Sequence, residues 1–140
     1  MERFLGKYSP YIYAILRIVI GFLLTLHGAQ KLFGFPPPEK AGQLNALLTV
    51  AGVVELVGGL MILFGLFAGF AAFIASGLFA VAYFMVHAPG GFSPIEEGGN
   101  KGERAVIYCF ILLYIAARGS GVWSVDSLIR RNKPETVERS

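Results

Sequence analysis

YIYAILRIVIGFLLTLHGAQKL, running from Tyr11 to Leu32, carries one charge in its interior, Arg17, and ends in His27 and Lys31. A helix needs about 20 residues to cross about 30 Å of hydrocarbon, so this run is long enough to span a bilayer. It is too long for the core of a secretory signal and lacks a small-residue cleavage site, so it is expected to stay in the mature protein. A charge in the hydrocarbon costs several kcal/mol unless it finds a partner or a polar cavity. Arg17, and Glu55 inside a second such run, therefore mark where to look for function.

Working outward, three further apolar runs follow: Ala46 to Phe67, Ala68 to Ala88, and Arg104 to Ala117, the last reaching across only if it continues toward Val122. The pattern predicts an all-α membrane protein, an antiparallel four-transmembrane-helix bundle. Gly65 to Gly69 leaves almost no linker, so the second and third helices form a tight hairpin with glycine at the turn. The first loop holds Pro36, Pro37 and Pro38, which exclude helix. The second loop, from Pro89 to Asn100, is rich in turn residues. The division is then a cytoplasmic segment over 1–10, a membrane domain over 11–126, and a polar cytoplasmic tail over 127–140, whose stretch from Arg130 to Ser140 is expected to be a mobile end.

Composition agrees with a lipid environment. The 140 residues are 55% hydrophobic and 15% charged, and the formal net charge is +3. That excess does not point to nucleic acid, because Lys and Arg fall at the edges of apolar runs and not along a basic stripe with interleaved aromatics. Arg3, Lys7, Arg118, Arg130, Arg131, Lys133 and Arg139 lie on one side of the expected spans, and Lys31, Lys40, Lys101 and Arg104 on the other. The positive-inside rule places both termini in the cytoplasm. The single cysteine, Cys109, excludes an intrachain disulfide and a cysteine-based metal site.

Small residues tell which faces meet. Arg17, Gly21, Leu24, Gly28 and Lys31 share one face of the first helix, Ala51, Glu55, Gly58, Ile62 and Gly65 one face of the second, and Ala68, Ala72, Ser76 and Ala80 one face of the third. Small residues let membrane helices approach closely, and both buried charges lie on such faces. An Arg17–Glu55 ion pair is the expectation, either as a structural clamp or as part of a working site. A second polar group gathers at the non-cytoplasmic end: His27, Lys31, Tyr83, His87, Glu103 and Tyr108, with Arg104 beside them. Histidine and tyrosine under an apolar lid can hydrogen-bond quinone carbonyls or relay a proton; an interfacial belt of aromatic and snorkelling side chains is the alternative. Haem ligation by two histidines fits poorly, since their depths differ by about 6 Å. No His-x-x-x-His, Asp-rich or Cys-x-x-Cys spacing supports a metal. His27 before Gly34-Phe35-Pro36 and His87 before Gly91-Phe92-Ser93-Pro94 form a faint internal echo, as expected of either a repeat or shared loop needs.

The segments His27-Gly28-Ala29-Gln30-Lys31-Leu32-Phe33-Gly34, Glu55-Leu56-Val57-Gly58-Gly59, Asn100-Lys101-Gly102-Glu103-Arg104-Ala105, and Gly119-Ser120-Gly121 with Ser124-Val125-Asp126 together resemble the DoxX family of small bacterial inner-membrane proteins, over roughly Leu16 to Asp126. The resemblance implies a membrane-embedded accessory subunit like that of an archaeal quinol oxidase and thiosulfate:quinone oxidoreductase system, with relatives linked to quinone detoxification and thiol-oxidative stress. Quinone is then the implied cofactor, and a membrane or soluble oxidoreductase, or a second copy of the chain, the implied partner. Three function classes stand: an accessory quinone-interacting subunit, which we favour; a non-enzymatic scaffold or chaperone; and a small-solute or proton path.

Overall fold

The computed structural model describes residues 1–38 and 45–132. The Glu39-Lys40 end of the first loop and the tail from Lys133 onward lie outside the described residues.

A short helix α1 (Glu2–Leu5) and a 3-10 turn lead into α2 (Ser9–Phe33), whose first turn accommodates Pro10 because no intrahelical partner is needed there. Gly34 closes α2 at φ +68°, its N–H on the Gln30 carbonyl. The next helix, α3 (Ala46–Phe64), begins on Asn45, whose side chain accepts from the Leu48 N–H at 2.8 Å. Helix α4 (Ala68–Ala82) passes into a π-helical turn over Tyr83–His87, followed by α5 (Glu103–Arg118) and α6 (Val125–Asn132). Among the described residues every regular element is helical.

Three stretches, Glu2–Phe33, Ala46–Phe64 and Ala68–Gly90, are long and apolar enough to cross a membrane. The fourth run falls short of its expectation. Its helix α5 has 16 residues, about 24 Å at 1.5 Å per residue, and does not continue toward Val122. Gly119 adopts φ +77° and Gly121 φ +68°, which turn the chain back under the bundle. Helix α6 takes in the first residues of the polar segment that begins at residue 127, as far as Asn132.

Helices α2 and α3 pack backbone to backbone. A Cβ on Gly21 would lie 2.7 Å from Leu63 Cα, one on Gly28 would lie 2.7 Å from Leu56 Cα, and one on Gly59 would meet the Thr25 N at 2.5 Å. This is the close approach that small residues at membrane-helix interfaces permit. The α3 partners are thus Gly52 and Gly59; Gly58 points toward α4, 3.9 Å from the Ala71 carbonyl oxygen. The hairpin between α3 and α4 turns as expected at Gly65, φ +70°, where the Leu66 N–H bonds the Met61 carbonyl and the Gly65 N–H bonds that of Ile62. Buried Ala72, Ala75 and Ser76 line α4, and Ser76 Oγ donates to the Cys109 carbonyl of α5 at 2.8 Å.

A buried polar chamber as the candidate functional site

The register set by Gly28 against Leu56 brings the last turn of α2 beside the middle of α3. Lys31 Nζ thereby meets Glu55 Oε1 at 2.5 Å. Glu55 is 1% exposed, and its Oε2 has no hydrogen-bond partner among the described residues. A carboxylate in that position depends on Lys31, because a buried charge without a partner is strongly unfavourable. The Lys31 side chain, 30% exposed, reaches the pair from the rim.

Around this pair lies a cavity of about 220 Å³, walled by His27, Phe79, His87, Arg104 and Tyr108 among others. The Tyr108 ring stacks on Phe79 at 5.1 Å between centroids and receives His27 edge-on at 5.9 Å. One side of the chamber is therefore a flat aromatic wall with an imidazole against it.

The loop between α4 and α5 closes the opposite side through Asn100. Its Nδ2 donates to Tyr83 Oη at 3.2 Å and to the Gly91 carbonyl at 3.0 Å, while its Oδ1 accepts the Gly102 N–H at 2.9 Å. The Asn100 carbonyl lies 3.2 Å from His87 Nδ1. A carbonyl only accepts, so Nδ1 carries the proton and Nε2 of a neutral His87 is an acceptor. Gly102 fits here because a Cβ would strike the Tyr83 ring at 2.6 Å. The π-helical turn over Tyr83–His87 adds a residue to the helical repeat just where these two rings are placed, a feature frequent at functional sites.

Arg17 is at the other end of the molecule's polar network, and the expected Arg17–Glu55 pair does not form. The guanidinium, 0% exposed, donates Nη1 to the carbonyls of Ile62 (2.8 Å) and Leu63 (3.1 Å), and Nη2 to those of Val122 (3.3 Å) and Trp123 (2.8 Å). The first two belong to the last turn of α3, where Arg17 shares the Ile62 carbonyl with the Gly65 N–H and meets the negative end of the helix dipole. Arg17 was expected to reach along the bundle toward Glu55; instead α3's own C-terminus offers acceptors closer to it. Asp126 mirrors this role, accepting the Phe67 N–H at 2.9 Å and the Ser120 hydroxyl at 2.6 Å, while Ser120 Oγ accepts from the Ala68 N–H. The Gly119–Asp126 segment is thus a latch tied to both ends of the α3–α4 turn.

Of the residues picked out by sequence, His27, Lys31, His87 and Tyr108 share the chamber. Tyr83 stands outside it and supports it through Asn100, and Glu103 is exposed at the start of α5, away from the chamber. Glu55 joins the chamber in place of its expected partnership with Arg17. Asn100 and Phe79 were not singled out; the signal for Asn100 was its place in the Asn100-Lys101-Gly102 motif, a polar side chain followed by a glycine.

Helices long and apolar enough to cross a membrane, packed around a buried charged chamber, define a small helical membrane protein. The chain belongs to the DoxX family, whose model matches residues 12–88. That match takes in His27, Lys31, Glu55 and His87 and ends before α5. The chain is 40% identical over 129 residues to an uncharacterised protein of Haemophilus influenzae, covering 88% of this chain and 94% of that one. It is 30% identical over 100 residues to a second uncharacterised protein of the same organism, covering 71% of this chain and 64% of that one. No solved structure matches it.

Proposed function

We propose that this DoxX-family protein is an accessory, quinone-interacting subunit of an oxidoreductase or oxidative-stress system in the bacterial inner membrane. The observation that carries the reading is the chamber: a polar cavity inside an apolar helical protein, holding a charged Lys31–Glu55 pair, two imidazoles and a stacked tyrosine. A quinone ring needs an aromatic face and hydrogen-bond donors at its carbonyl oxygens. Tyr108 and Phe79 offer the face; Lys31, Arg104, the Tyr108 hydroxyl and the His27 ring are the donors. Partners follow from the role, a membrane or soluble oxidoreductase and a second copy of the chain. The scaffold reading draws on Arg17 and Asp126, whose bonds tie helix ends together.

In this reading α5 serves as a fourth span beside the three longer ones, in an antiparallel bundle with both termini in the cytoplasm, since seven Lys and Arg residues flank that side against four on the other. An Arg130→Cys variant in a Cys109→Ala background is expected to resist an impermeant thiol reagent in intact cells and to react after permeabilisation. Ready labelling in intact cells reverses the orientation.

The test of the site is equilibrium binding of a short-chain benzoquinone. His27→Phe keeps bulk and removes a hydrogen bond, a loss of about 0.5–1.5 kcal/mol, so binding is expected to weaken about 2- to 10-fold with insertion unchanged. Tyr83→Phe acts only through Asn100 and is expected to cost less. Equal binding by parent and His27→Phe, or saturable binding by neither, leaves the scaffold reading ahead.

A further inference from the structure

The chamber does not end at its polar residues. A second void of about 340 Å³ adjoins it, sharing the wall made by Lys31, Ala51, Leu78, Ala82 and His87. Past that wall the lining turns apolar, with Leu47 and Leu48 of α3 facing Val81, Met85 and Val86 across the seam. About one turn further along both helices a third void of about 220 Å³ continues toward the hairpin, between Val54, Val57 and Met61 on α3 and Phe70, Ala71 and Ile74 on α4. The second and third voids lie along the same α3–α4 groove with no lining residue in common, and the chamber meets that groove at Ala51 and Leu78. From Ala82 to Phe70 the groove covers about 18 Å at 1.5 Å per residue.

Two features hold this seam open. Near the hairpin the small residues Gly58 and Ala71 form the floor of the third void, and the branched and bulky side chains of both helices wall the groove on either side. At the far end the π-helical turn places Met85, Val86 and His87 together along the void. The rims are open along its length, since Leu47, Val57, Ile74, Val81 and Met85 are all exposed.

We infer that the seam seats the apolar tail of the same molecule whose ring occupies the chamber, so that the ligand is a membrane-resident, long-tailed quinone entering sideways from the bilayer between α3 and α4. This rests on the quinone-site reading and adds the ligand's tail and its route. The occupant follows from continuity: polar lining at one end passes into apolar lining through shared residues, matching an amphipathic molecule with a flat polar head. Leu48 and Ile74, which touch the seam and not the chamber, become the residues that discriminate tailed from tail-less ligands.

The test uses the full chain in lipid nanodiscs with two probes: dimethoxy-methylbenzoquinone, and the same ring with a decyl tail ending in a diazirine. Photolabelling of the parent is expected to fall on α3 and α4 residues of the seam and to be suppressed by excess tail-less ring. Leu48→Trp and Ile74→Trp, two independent fillings of the seam, are each expected to lower that labelling about tenfold while leaving affinity for the tail-less ring unchanged. Labelling spread evenly over the lipid-facing helices overturns the proposal, as does seam labelling indifferent to competing ring, the pattern of a phospholipid chain. If the tail-less ring itself fails to bind the parent, the quinone-site reading falls and this inference with it.

Discussion

Arg17→Leu is expected to lower the unfolding free energy in detergent by about 3–5 kcal/mol, because several hydrogen bonds from a charged donor, each worth about 1.5–3 kcal/mol, are lost together. The guanidinium is fully buried and makes bonds to four carbonyls from two separate segments, buried at Ile62 and partly buried at the other three. Stranding buried acceptors adds desolvation cost to the lost bonds. Lysine at the same position carries the charge but not the planar fork, so Arg17→Lys is expected to recover only part of the loss. Because Arg17 ties the hairpin end and Glu55 belongs to the chamber, with no shared partner, the effects of Arg17→Leu and Glu55→Leu are expected to add to within about 0.3–0.5 kcal/mol. Denaturant or thermal unfolding of the purified variants checks both statements. A change below about 1 kcal/mol for Arg17→Leu is incompatible with the four-carbonyl latch.

The helical nature of the chain and the small-residue faces were legible because they depend on short-range periodicity. Gly21 and Gly28 repeat at a spacing that only a helix places on one face, and a membrane leaves backbone groups no other way to be satisfied. The face of α3 that carries Glu55, Gly58 and Ile62 is buried as read, but it is Gly59 that meets α2 and Gly58 that meets α4, since in a helix hydrophobic all round the sequence alone does not say which side meets which neighbour. The run Arg104 to Ala117 matches α5 closely, and its continuation toward Val122 fails for a different reason: Val122 and Trp123 continue the apolar composition, but Gly119 and Gly121 sit at positive φ, and composition does not reveal which glycines are used that way. Four of the six candidates read from the sequence, His27, Lys31, His87 and Tyr108, line one cavity, since each lies near a helix end on the same side. The expected charge pairing does not form. Depth along a helix gave Arg17 and Glu55 as neighbours, yet a buried guanidinium is satisfied by backbone carbonyls as readily as by a carboxylate, and the helix that supplies them is defined only once the hairpin turn is in place. Lys31 belongs to the polar group read from the sequence, with a snorkelling place at the interface as the alternative; Gly28 brings α3 close enough to turn it inward to Glu55.

Lys31→Met is expected to destabilise the protein by about 3–5 kcal/mol, because it leaves the Glu55 carboxylate buried with no opposite charge. Glu55→Leu should cost less, about 1–2 kcal/mol. The asymmetry follows from exposure: Glu55 is 1% exposed, whereas the partly exposed Lys31 side chain can extend its ammonium outward once released. The double variant Lys31→Met/Glu55→Leu replaces a buried pair by apolar groups of similar bulk, a change that is often neutral or stabilising, so it is expected to be more stable than Lys31→Met alone. A double-mutant cycle measured by unfolding in detergent gives the coupling directly, and single effects that simply add would mean the two side chains do not meet. Binding separates the pair's two roles. If Lys31 and Glu55 served packing alone, restoring stability in the double variant would restore the chamber; with Lys31 as a donor to the ligand, the double variant folds and still binds the short-chain benzoquinone more weakly than the parent.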